Sequence, residues 1–375
     1  MVYDVIIIGA GPAGSYAGCL LADMGLSVAL IDRKTFPRDK LCGGLLTFKT
    51  AELLKPVCSV ETLPKFNIVR SHVFYQDRLA ASFRLLSSAY TVRRIQFDAH
   101  LVETARRKGV HIYLGTPIRG IDFTRKEVCL SDRGILKYSA LIGADGAQST
   151  VRRITNLPKN EMGFCLETYV PWNLLNNSER LLAGGIEIYY GDFPNGYGWV
   201  FPCKDSVAVG VGNLAQGIPE RDILTQYHRF LTRVLSVNST HIKPTGAYLP
   251  SGTSVVLGAP QYKDLCLIGD AAGLIDPFTG EGIYYALLSA KTAAESIASE
   301  KPLYLEYERR MSQVTATIWD TVCVRNHIYS PAVLKHSIAF MQSAIQYSEE
   351  LIDETIVRYT KTYADTYEEI KYYSR

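Results

Sequence analysis

The residues that most clearly indicate chemistry lie in three glycine-rich segments. The first spans residues 9–14 (GAGPAG) after the apolar run 5–8, and the second spans 143–146 (GADG). The third spans 267–273 (LIGDAAG) and is followed by 277–282 (PFTGEG). The first segment alone is typical of dinucleotide binding and leaves NAD open as an alternative. All three in this order favour FAD, bound by residues scattered along the chain.

The first segment has the spacing of a strand–turn–helix unit that binds a pyrophosphate. We expect Gly9 to allow the tight turn, Gly11 to let the backbone approach the phosphates, and Gly14 to let the helix pack against the strand. The positive end of that helix would then face the phosphates. An acid about 20 residues after such glycines is expected to hydrogen-bond a ribose hydroxyl. The residues predicted to contact the cofactor here are Gly9, Gly11, Pro12, Ala13, Gly14, Asp32 and Arg33.

The elements predicted around these segments are those of an α/β fold. We expect a Rossmann-like β–α–β unit over residues 3–32 and a helix near 94–108. From about 160 to 257, apolar and polar residues alternate, which predicts an antiparallel sheet with one open face. After residue 280 the sequence is almost wholly helical, with one break at Ser330-Pro331.

A chain of 375 residues is too long for one small core and fits two domains. We predict a discontinuous FAD-binding domain over residues 1–70, 90–160 and 255–300. The segments between them, 71–89 and 161–254, would form a β-rich substrate domain over the flavin. Residues 301–375 would form a C-terminal helical segment that caps the substrate pocket, with self-association or contact with a membrane surface as alternatives.

Composition excludes several classes of protein. The formal net charge is +3 and no long basic run exists, so we expect no nucleic-acid partner. No run of 18 or more apolar residues occurs, so no transmembrane helix is predicted, and the run 5–8 is a strand rather than a signal peptide. The eight cysteines and seven histidines are scattered without C-x-x-C or H-x-x-x-H spacing. We therefore expect free thiols, no metal site and a cytoplasmic protein.

Two further motifs indicate a family. Residues 37–44 (PRDKLCGG) follow the ribose acid, and residues 197–202 (YGWVFP) are followed by Gly210 and Gly212. With these motifs the chain, over about residues 1–300, resembles the geranylgeranyl reductase family of the p-hydroxybenzoate-hydroxylase-like flavoproteins.

The resemblance implies roles for residues at the cofactor. Asp145 and Gly146 would support the pyrophosphate, Asp270 would hydrogen-bond the ribityl chain, and Arg94 would reach the FAD. Three simpler interpretations stay open: Asp145 as a turn residue, Asp270 as a cap of the following turn, and Arg93 in place of Arg94. The resemblance places these residues at FAD: Cys42, Gly43, Arg94, Asp145, Gly146, Gly269, Asp270, Pro277, Gly280, Glu281, Gly282 and Ile283.

Cys42 is the candidate catalytic residue. A free cysteine is more often a small buried apolar residue. Cys42 differs because basic residues precede it, and positive neighbours favour a thiolate. The resemblance places it near flavin and substrate, where its thiol or a bound water would supply a proton. Glu281 departs from the third glycine common in archaeal members, and it would repel a negative flavin or act as a base.

The aromatic residues Tyr197, Trp199 and Phe201 alternate, so they share one face of a strand. Such a stripe is typical of core packing, and the resemblance also makes it the wall of a substrate pocket.

The resemblance implies an FAD-dependent reductase that saturates isoprenoid double bonds. The reductant would be NAD(P)H or a ferredoxin, so an electron-donor protein is a possible partner. A hydrophobic substrate implies peripheral membrane contact. An aromatic hydroxylase that uses oxygen and a non-catalytic electron carrier stay open, whereas the W-x-W-x-I-P motif of flavin halogenases is absent.

Overall fold

The computed structural model describes residues 1–131, 134–175, 178–193, 195–213, 220–235, 242–299, 301–330 and 332–336. The strands within them are β1 Val2–Ile8, β2 Val28–Ile31, β3 Leu45–Leu46, β4 Lys65–Tyr75, β5 Arg78–Val92, β6 His111–Tyr113, β7 Ile118–Asp122, β8 Glu127–Leu130, β9 Ile135–Gly143, β10 Met162–Val170, β11 Gly185–Tyr190, β12 Gly196–Pro202, β13 Val207–Asn213, β14 Thr245–Pro250 and β15 Leu265–Leu267. The α-helices are α1 Pro12–Asp23, α2 Phe48–Leu54, α3 Arg94–Arg107, α4 Thr150–Ile154, α5 Glu179–Leu182, α6 Glu220–Val234, α7 Ile283–Ile297 and α8 Leu303–Ile328.

The first sheet is built on parallel strands in the order β6-β2-β1-β9. The carboxyl end of β9 also pairs in parallel with β15, and its amino end pairs with the antiparallel hairpin β7-β8. Helix α1 packs on this sheet together with α3 and α7, and α8 packs on α7. The run Val5–Ile8 is buried because it lies in the centre of a sheet covered by helices, as parallel strands generally are.

The second sheet has the order β14-β10-β13-β12-β11-β4-β5-β3. The strands from the segment 160–257 pair antiparallel with one another, as predicted, and β11 also pairs in parallel with β4 from an earlier segment. However, the open face that the alternating pattern predicted is covered. Helix α6 packs its apolar side, with Tyr227 and Phe230, against Val209 and Val211 of β13.

The two sheets take alternating segments of the chain, which is the α/β architecture that the sequence predicted. The strands of the second sheet extend beyond the predicted boundaries, since β3 at Leu45–Leu46 also pairs with β5. Strand β4 begins at Lys65 and β5 continues to Val92, so residues 65–70 and 90–92 pair within the second sheet rather than in the FAD-binding part.

The C-terminal part is helical, as predicted, but it has a break that the sequence analysis missed. Helix α7 ends at Ile297, and α8 begins after Pro302, whose fixed φ suits the start of a helix. A helical segment follows at 332–336. The predicted break at Pro331 and the residues 337–375 lie outside the described residues.

Candidate functional site

The three glycine-rich segments, far apart in the sequence, meet at one edge of the first sheet. Gly9 has a φ of +108°, and a Cβ atom there would lie 2.2 Å from the carbonyl oxygen of Ala144. The Cβ position of Gly269 lies 3.2 Å from Cβ of Ala13. Strands β1, β9 and β15 are parallel neighbours, so their carboxyl ends bring the three segments together. Ligands of open α/β sheets bind at this edge.

The amino end of α1 has no side-chain cap. Gly11 precedes the helix, and Pro12 at its first position has no N–H. The nearest atom to a Cβ position at Gly11 is Nη2 of Arg38, at 3.7 Å, whereas at Gly14 a Cβ atom would lie 1.9 Å from the carbonyl oxygen of Gly9. An uncapped helix end beside an arginine is suited to an anion, and the space left at Gly11 lets the backbone approach one.

Asp32 lies beside this turn, at the end of β2. Its Oδ2 accepts a hydrogen bond from the N–H of Ala10 at 2.7 Å, and its Oδ1 accepts one from the N–H of Lys34 at 2.8 Å. Arg33 is exposed. The carboxylate therefore holds the glycine turn in place, while its predicted contact with a ribose stays a prediction.

Asp145 directs its carboxylate into its own following turn. It accepts hydrogen bonds from the hydroxyl of Ser149 at 2.5 Å and from the N–H groups of Thr150 at 2.6 Å and Val151 at 3.1 Å. Burial raises the pKa of Asp145, and these hydrogen bonds oppose that rise. Its neighbour Gly146 has a φ of +80° and no atom within 4 Å of a Cβ position. This arrangement fits the simpler interpretation of Asp145 as a turn residue, with Gly146 leaving room for a ligand.

Asp270 differs from Asp145 because its carboxylate receives no hydrogen bond from the part of the chain that the structure describes. Its Oδ1 lies 3.5 Å from the Cβ position of Gly282, and its carbonyl oxygen accepts a hydrogen bond from Nδ2 of Asn160 at 2.9 Å. The N–H of Gly269 donates to the hydroxyl of Ser289 at 3.0 Å. The backbone of Asp270 is thus fixed while its carboxylate stays available for a ligand hydroxyl.

The loop 277–282 leads into α7, whose first residue is the buried Ile283. Pro277 is buried and packs on Gly252, and Gly280 lies with its Cβ position 3.6 Å from the hydroxyl of Tyr197. The loop therefore joins the first sheet to the aromatic strand β12.

Glu281 in this loop has a counter-charge that the sequence analysis did not foresee. Its Oε1 accepts a hydrogen bond from the hydroxyl of Thr47 at 2.7 Å, and its Oε2 pairs with Nζ of Lys49 at 2.7 Å. The Lys49 ammonium also lies 4.1 Å from the ring centroid of Tyr284. The pairing offsets the negative charge that Glu281 would present to a flavin.

Arg94 and Arg93 occupy different surroundings. Arg94 is buried, and its guanidinium forms a two-pronged pair with Asp98 at 2.7 and 2.8 Å. Burial lowers the pKa of Arg94, but the charge of Asp98 and a contact with Cys42 outweigh it and hold the pKa above its usual range. Arg38 also pairs with Asp98, at 3.4 Å. The guanidinium of Arg93 instead lies 4.0 Å from the ring centroid of Tyr169.

Residues 37–44 form a loop, the Cys42 loop, that is hydrogen-bonded to the second sheet. The N–H of Cys42 donates to Oε1 of Glu167 at 3.2 Å, its carbonyl oxygen accepts from the hydroxyl of Tyr169 at 3.4 Å, and its Sγ accepts from the N–H of Gly44 at 3.4 Å. A Cβ atom at Gly43 would lie 2.7 Å from the ring of Phe201, so only glycine fits there. The loop thus lies flat on the aromatic strand.

Tyr197, Trp199 and Phe201 point to one face of β12, as their alternation predicted. The hydroxyl of Tyr197 hydrogen-bonds the carbonyl oxygen of Thr279, and the ring centroids of Tyr197 and Trp199 are 5.9 Å apart. The three rings are core residues and also face the Cys42 loop. The two interpretations of the aromatic stripe are therefore compatible.

Sequence reasoning missed Glu167, Tyr169, Arg38 and Lys49. Arg38 lies within the motif 37–44 and was available from it. Glu167 and Tyr169 alternate with apolar residues in β10, a pattern that any half-buried strand shows. No local signal marks their contact with Cys42, because it depends on sheet pairing.

The residues present fit FAD. The uncapped helix end at Gly11, the carboxylate of Asp270 and the open space at Gly146 suit a pyrophosphate and a polyol chain. In the described part of the chain, no three metal-ligating side chains form a cluster that could hold a metal ion. None of the helices described is both long and apolar enough to span a bilayer.

Comparison with known proteins agrees with this site. The model of the FAD binding domain family matches residues 2–301. The chain is 32% identical over 321 residues to the menaquinone reductase of Mycolicibacterium smegmatis, covering 79% of this chain and 76% of that one. It is 28% identical over 349 residues to the digeranylgeranylglycerophospholipid reductase of Methanococcus aeolicus, covering 83% and 82%.

Among solved structures, a geranylgeranyl bacteriochlorophyll reductase-like protein from Thermoplasma acidophilum superposes with a TM-score of 0.74 at 21% identity, over 88% of each chain. This likeness shows the fold. The family match and the curated relatives define the chain as an FAD-dependent oxidoreductase. The chain belongs to the FAD binding domain family, and its resemblance to the geranylgeranyl reductases is confirmed.

Proposed function

We propose that this protein uses FAD to saturate carbon–carbon double bonds in an isoprenoid chain. The observation that supports the proposal is that the Cys42 loop and the loop 277–282 both contact the aromatic strand β12. The Cys42 loop lies on Trp199 and Phe201, and the loop 277–282 meets the same strand at Tyr197. A thiol, an aromatic strand and the loop before α7 therefore border one region.

The wall suits a hydrocarbon. Trp199 and Phe201 pack with further apolar side chains, among them Leu41, Leu45 and Ile188. Pockets for apolar ligands are lined in this way, with a few polar groups that fix orientation. The names of the relatives support the same substrate class, because one acts on a digeranylgeranylglycerophospholipid and another on menaquinone, judged by their names.

Bound FAD would supply hydride chemistry, which belongs to the cofactor. The residues of this chain would bind the hydrocarbon against the aromatic wall and exclude water from it. When one alkene carbon gains a hydride, the other must gain a proton. We assign that proton to Sγ of Cys42, with a bound water as the alternative source. Arg94, which interacts with Cys42, would contribute a positive charge near its thiol.

The electron donor and the cellular site are part of the proposal. NAD(P)H or a ferredoxin would reduce the flavin. We place the protein in the cytoplasm, with peripheral contact at the membrane that holds the substrate.

The test is a flavin reoxidation assay without oxygen. The FAD protein is reduced with dithionite under anaerobic conditions and mixed with geranylgeranyl diphosphate, a geranylgeranylated lipid or a menaquinone. We expect the flavin absorbance to return and the product mass to rise by two hydrogens for each double bond. Reoxidation only after air is admitted would contradict the proposal and favour an enzyme that uses oxygen.

Replacement of Cys42 tests its role as proton donor. We expect Cys42→Ala to keep FAD and to lose at least about tenfold in product formation, in keeping with the usual size of general-acid effects. The rate of product formation in single turnover measures it. Cys323→Ala, at an exposed thiol on α8, is the matched control. Full reduction of substrate by the Cys42 variant would assign the proton to water.

A further inference from the structure

A buried carboxylate lies directly behind the Cys42 loop. Glu167 is 2% exposed and sits on β10, on the same side as Cys165 and Tyr169. Its two oxygens have different partners: Oε1 accepts from the N–H of Cys42 at 3.2 Å, and Oε2 accepts from Nε1 of Trp199 at 2.9 Å. One side chain thus links the loop to the aromatic strand.

The register of three strands produces this link. Trp199 on β12 is opposite Gly210 on β13, and Gly210 is opposite Glu167 on β10. A Cβ atom at Gly210 would lie 2.2 Å from Cζ2 of Trp199, so the indole lies across the glycine. Because the indole crosses β13 at Gly210, its N–H reaches Glu167 on β10. Gly210 therefore makes the hydrogen bond between Trp199 and Glu167 possible.

Stability does not explain an acid at this position. No described residue forms an ion pair with Glu167, because Arg94 is paired with Asp98 and Arg93 lies over Tyr169. Burial raises the pKa of Glu167 to about 7, although its two hydrogen bonds and the two arginines oppose the rise. An ionised carboxylate buried in this way generally destabilises a fold.

We propose that Glu167 is a positioning residue whose ionised carboxylate fastens the Cys42 loop to the aromatic strand, and that its protonation loosens the loop. Both partners are N–H groups that only donate. An ionised carboxylate offers each of them an acceptor oxygen. A protonated carboxyl would present its O–H to one of these donors and lose that bond. The loop is therefore fastened above the pKa of Glu167 and released as the pH falls through it.

Other groups near Glu167 do not change charge in the same range. Those within its electrostatic reach are two arginines, two tyrosines and three thiols: Arg93, Arg94, Tyr169, Tyr227, Cys42, Cys165 and Cys203. Burial raises the pKa of Tyr169, Tyr227, Cys165 and Cys203, so these groups stay neutral near pH 7. Loss of the Glu167 charge would by itself favour the reactive thiolate of Cys42. The labelling result is therefore read together with hydrogen exchange of the Cys42 amide, which does not involve the thiol.

The decisive variant is Glu167→Gln in the FAD-bound protein. Glutamine keeps the shape but replaces one acceptor oxygen by a donor. We expect iodoacetamide to label Cys42 at least about tenfold faster than in wild type at pH 8, as for loss of a hydrogen bond to a charged acceptor. Peptide mass spectrometry reads each thiol separately.

Two internal references separate positioning from general loosening. Cys203 is buried near the same site and reports opening of the sheet. Glu187→Gln removes another buried carboxylate, 4% exposed, which lies on β11 and accepts hydrogen bonds from Arg180 of α5 and from Tyr189. We expect no change in Cys42 labelling there. Unchanged labelling of Cys42 in Glu167→Gln, or equal acceleration at Cys203, would overturn the proposal.

A second measurement needs only the wild-type protein, in case Glu167→Gln does not fold. The amide of Cys42 donates to Glu167, so its hydrogen exchange reports that bond directly. After correction for the intrinsic exchange rate, we expect its protection to be several-fold greater at pH 8 than at pH 6. Equal protection at both values would reject the pH-dependent fastening.

The consequence for catalysis rests on the proposed function, but the labelling and exchange results do not. If prenyl substrates fail to reoxidise the flavin while Glu167→Gln still frees Cys42, the proposed reaction is wrong and the positioning role holds. If the reaction is found and labelling is unchanged, only the positioning role is rejected.

Discussion

At the scale of single residues, the indole of Trp199 needs a glycine beneath it. Its ring atoms lie 2.2 to 2.9 Å from a Cβ position at Gly210, which real contacts do not allow. The same ring lies next to Gly43 in the Cys42 loop, where Nε1 is 3.2 Å from the Cβ position. Two glycines from distant segments thus leave room for one side chain. This explains why small residues accompany the aromatic motif.

Gly210→Ala tests this packing. The added methyl group must displace the indole, which breaks its hydrogen bond to Glu167. We expect a loss of about 1–3 kcal/mol in the free energy of unfolding, the usual cost of an extra methyl group in a packed core. Urea denaturation measures it, and faster labelling of Cys42 should accompany it.

Gly120→Ala is the matched control, because Gly120 also lies in a strand but has no atom within 4 Å of a Cβ position. We expect it to change stability by no more than about 0.5 kcal/mol. Equal losses in the two variants would show that the Trp199 contact is unimportant.

At the scale of elements, α1 contains one glycine with no room for a side chain, Gly14, and one with room for a methyl group, Gly18. Gly14 lies against the turn that follows β1, and its Cβ position is 1.9 Å from the carbonyl oxygen of Gly9. Gly18, one turn later, faces Val110 at an ordinary 3.6 Å. The close approach at Gly14 sets the direction of the helix and thereby the position of its uncapped amino end.

Gly14→Ala should therefore move α1 away from β1 and spoil the phosphate site. We expect the purified protein to contain less than half of the FAD of wild type and to melt at a lower temperature. The ratio of flavin to protein absorbance measures the first effect.

The control on the same helix is Gly18→Ala. Alanine favours helix over glycine by up to about 1 kcal/mol, and the site has room for the methyl group. We expect it to keep its FAD and to be at least as stable as wild type. A Gly14 variant with full FAD would show that helix position is not critical.

At the scale of the whole molecule, the two sheets are held together by bonds between distant segments. The hydroxyl of Tyr197 on β12 donates to the carbonyl oxygen of Thr279 in the loop before α7, and Nη1 of Arg325 on α8 donates to the carbonyl oxygen of Ser251, which follows β14, at 3.0 Å. The second sheet also buries His72, which is 5% exposed and whose Nδ1 has no hydrogen-bond partner among the described residues. The free energy of unfolding should therefore decrease as the pH falls.

Burial, together with the positive charges of the nearby Arg180 and Arg70, lowers the pKa of His72 to about 4. Unfolding returns the pKa to about 6.5, so the unfolded chain binds a proton more readily between these values. Stability is therefore complete above pH 6.5 and is lost as the pH falls toward 4. We expect the melting temperature of wild type to fall more between pH 7.5 and pH 5 than that of His72→Phe.

The exposed His336 provides the comparison. His336→Gln should follow the acid dependence of wild type. If His72→Phe also does so, the acid sensitivity belongs to carboxylates instead.

The sequence by itself determined the fold class, the FAD cofactor and the family. It could do so because Gly9 needs a positive φ, because Gly14 has no room for a side chain, and because the apolar run Val5–Ile8 is typical of a buried parallel strand. Helix α3, predicted near 94–108, ends within one residue of that range because Gly109 terminates it locally.

Only the tertiary structure decided what surrounds Cys42. Residues 42, 94, 167, 199 and 210 come from a loop, a helix and three strands, and no spacing along the chain relates them. The register of β10, β13 and β12 brings Glu167 and Trp199 together, and Lys49 from α2 supplies the counter-charge for Glu281. Helix α6 likewise covers a sheet face that alternation alone predicted to be open. Pairing and coverage depend on the free energy of the whole fold, which local sequence patterns do not contain.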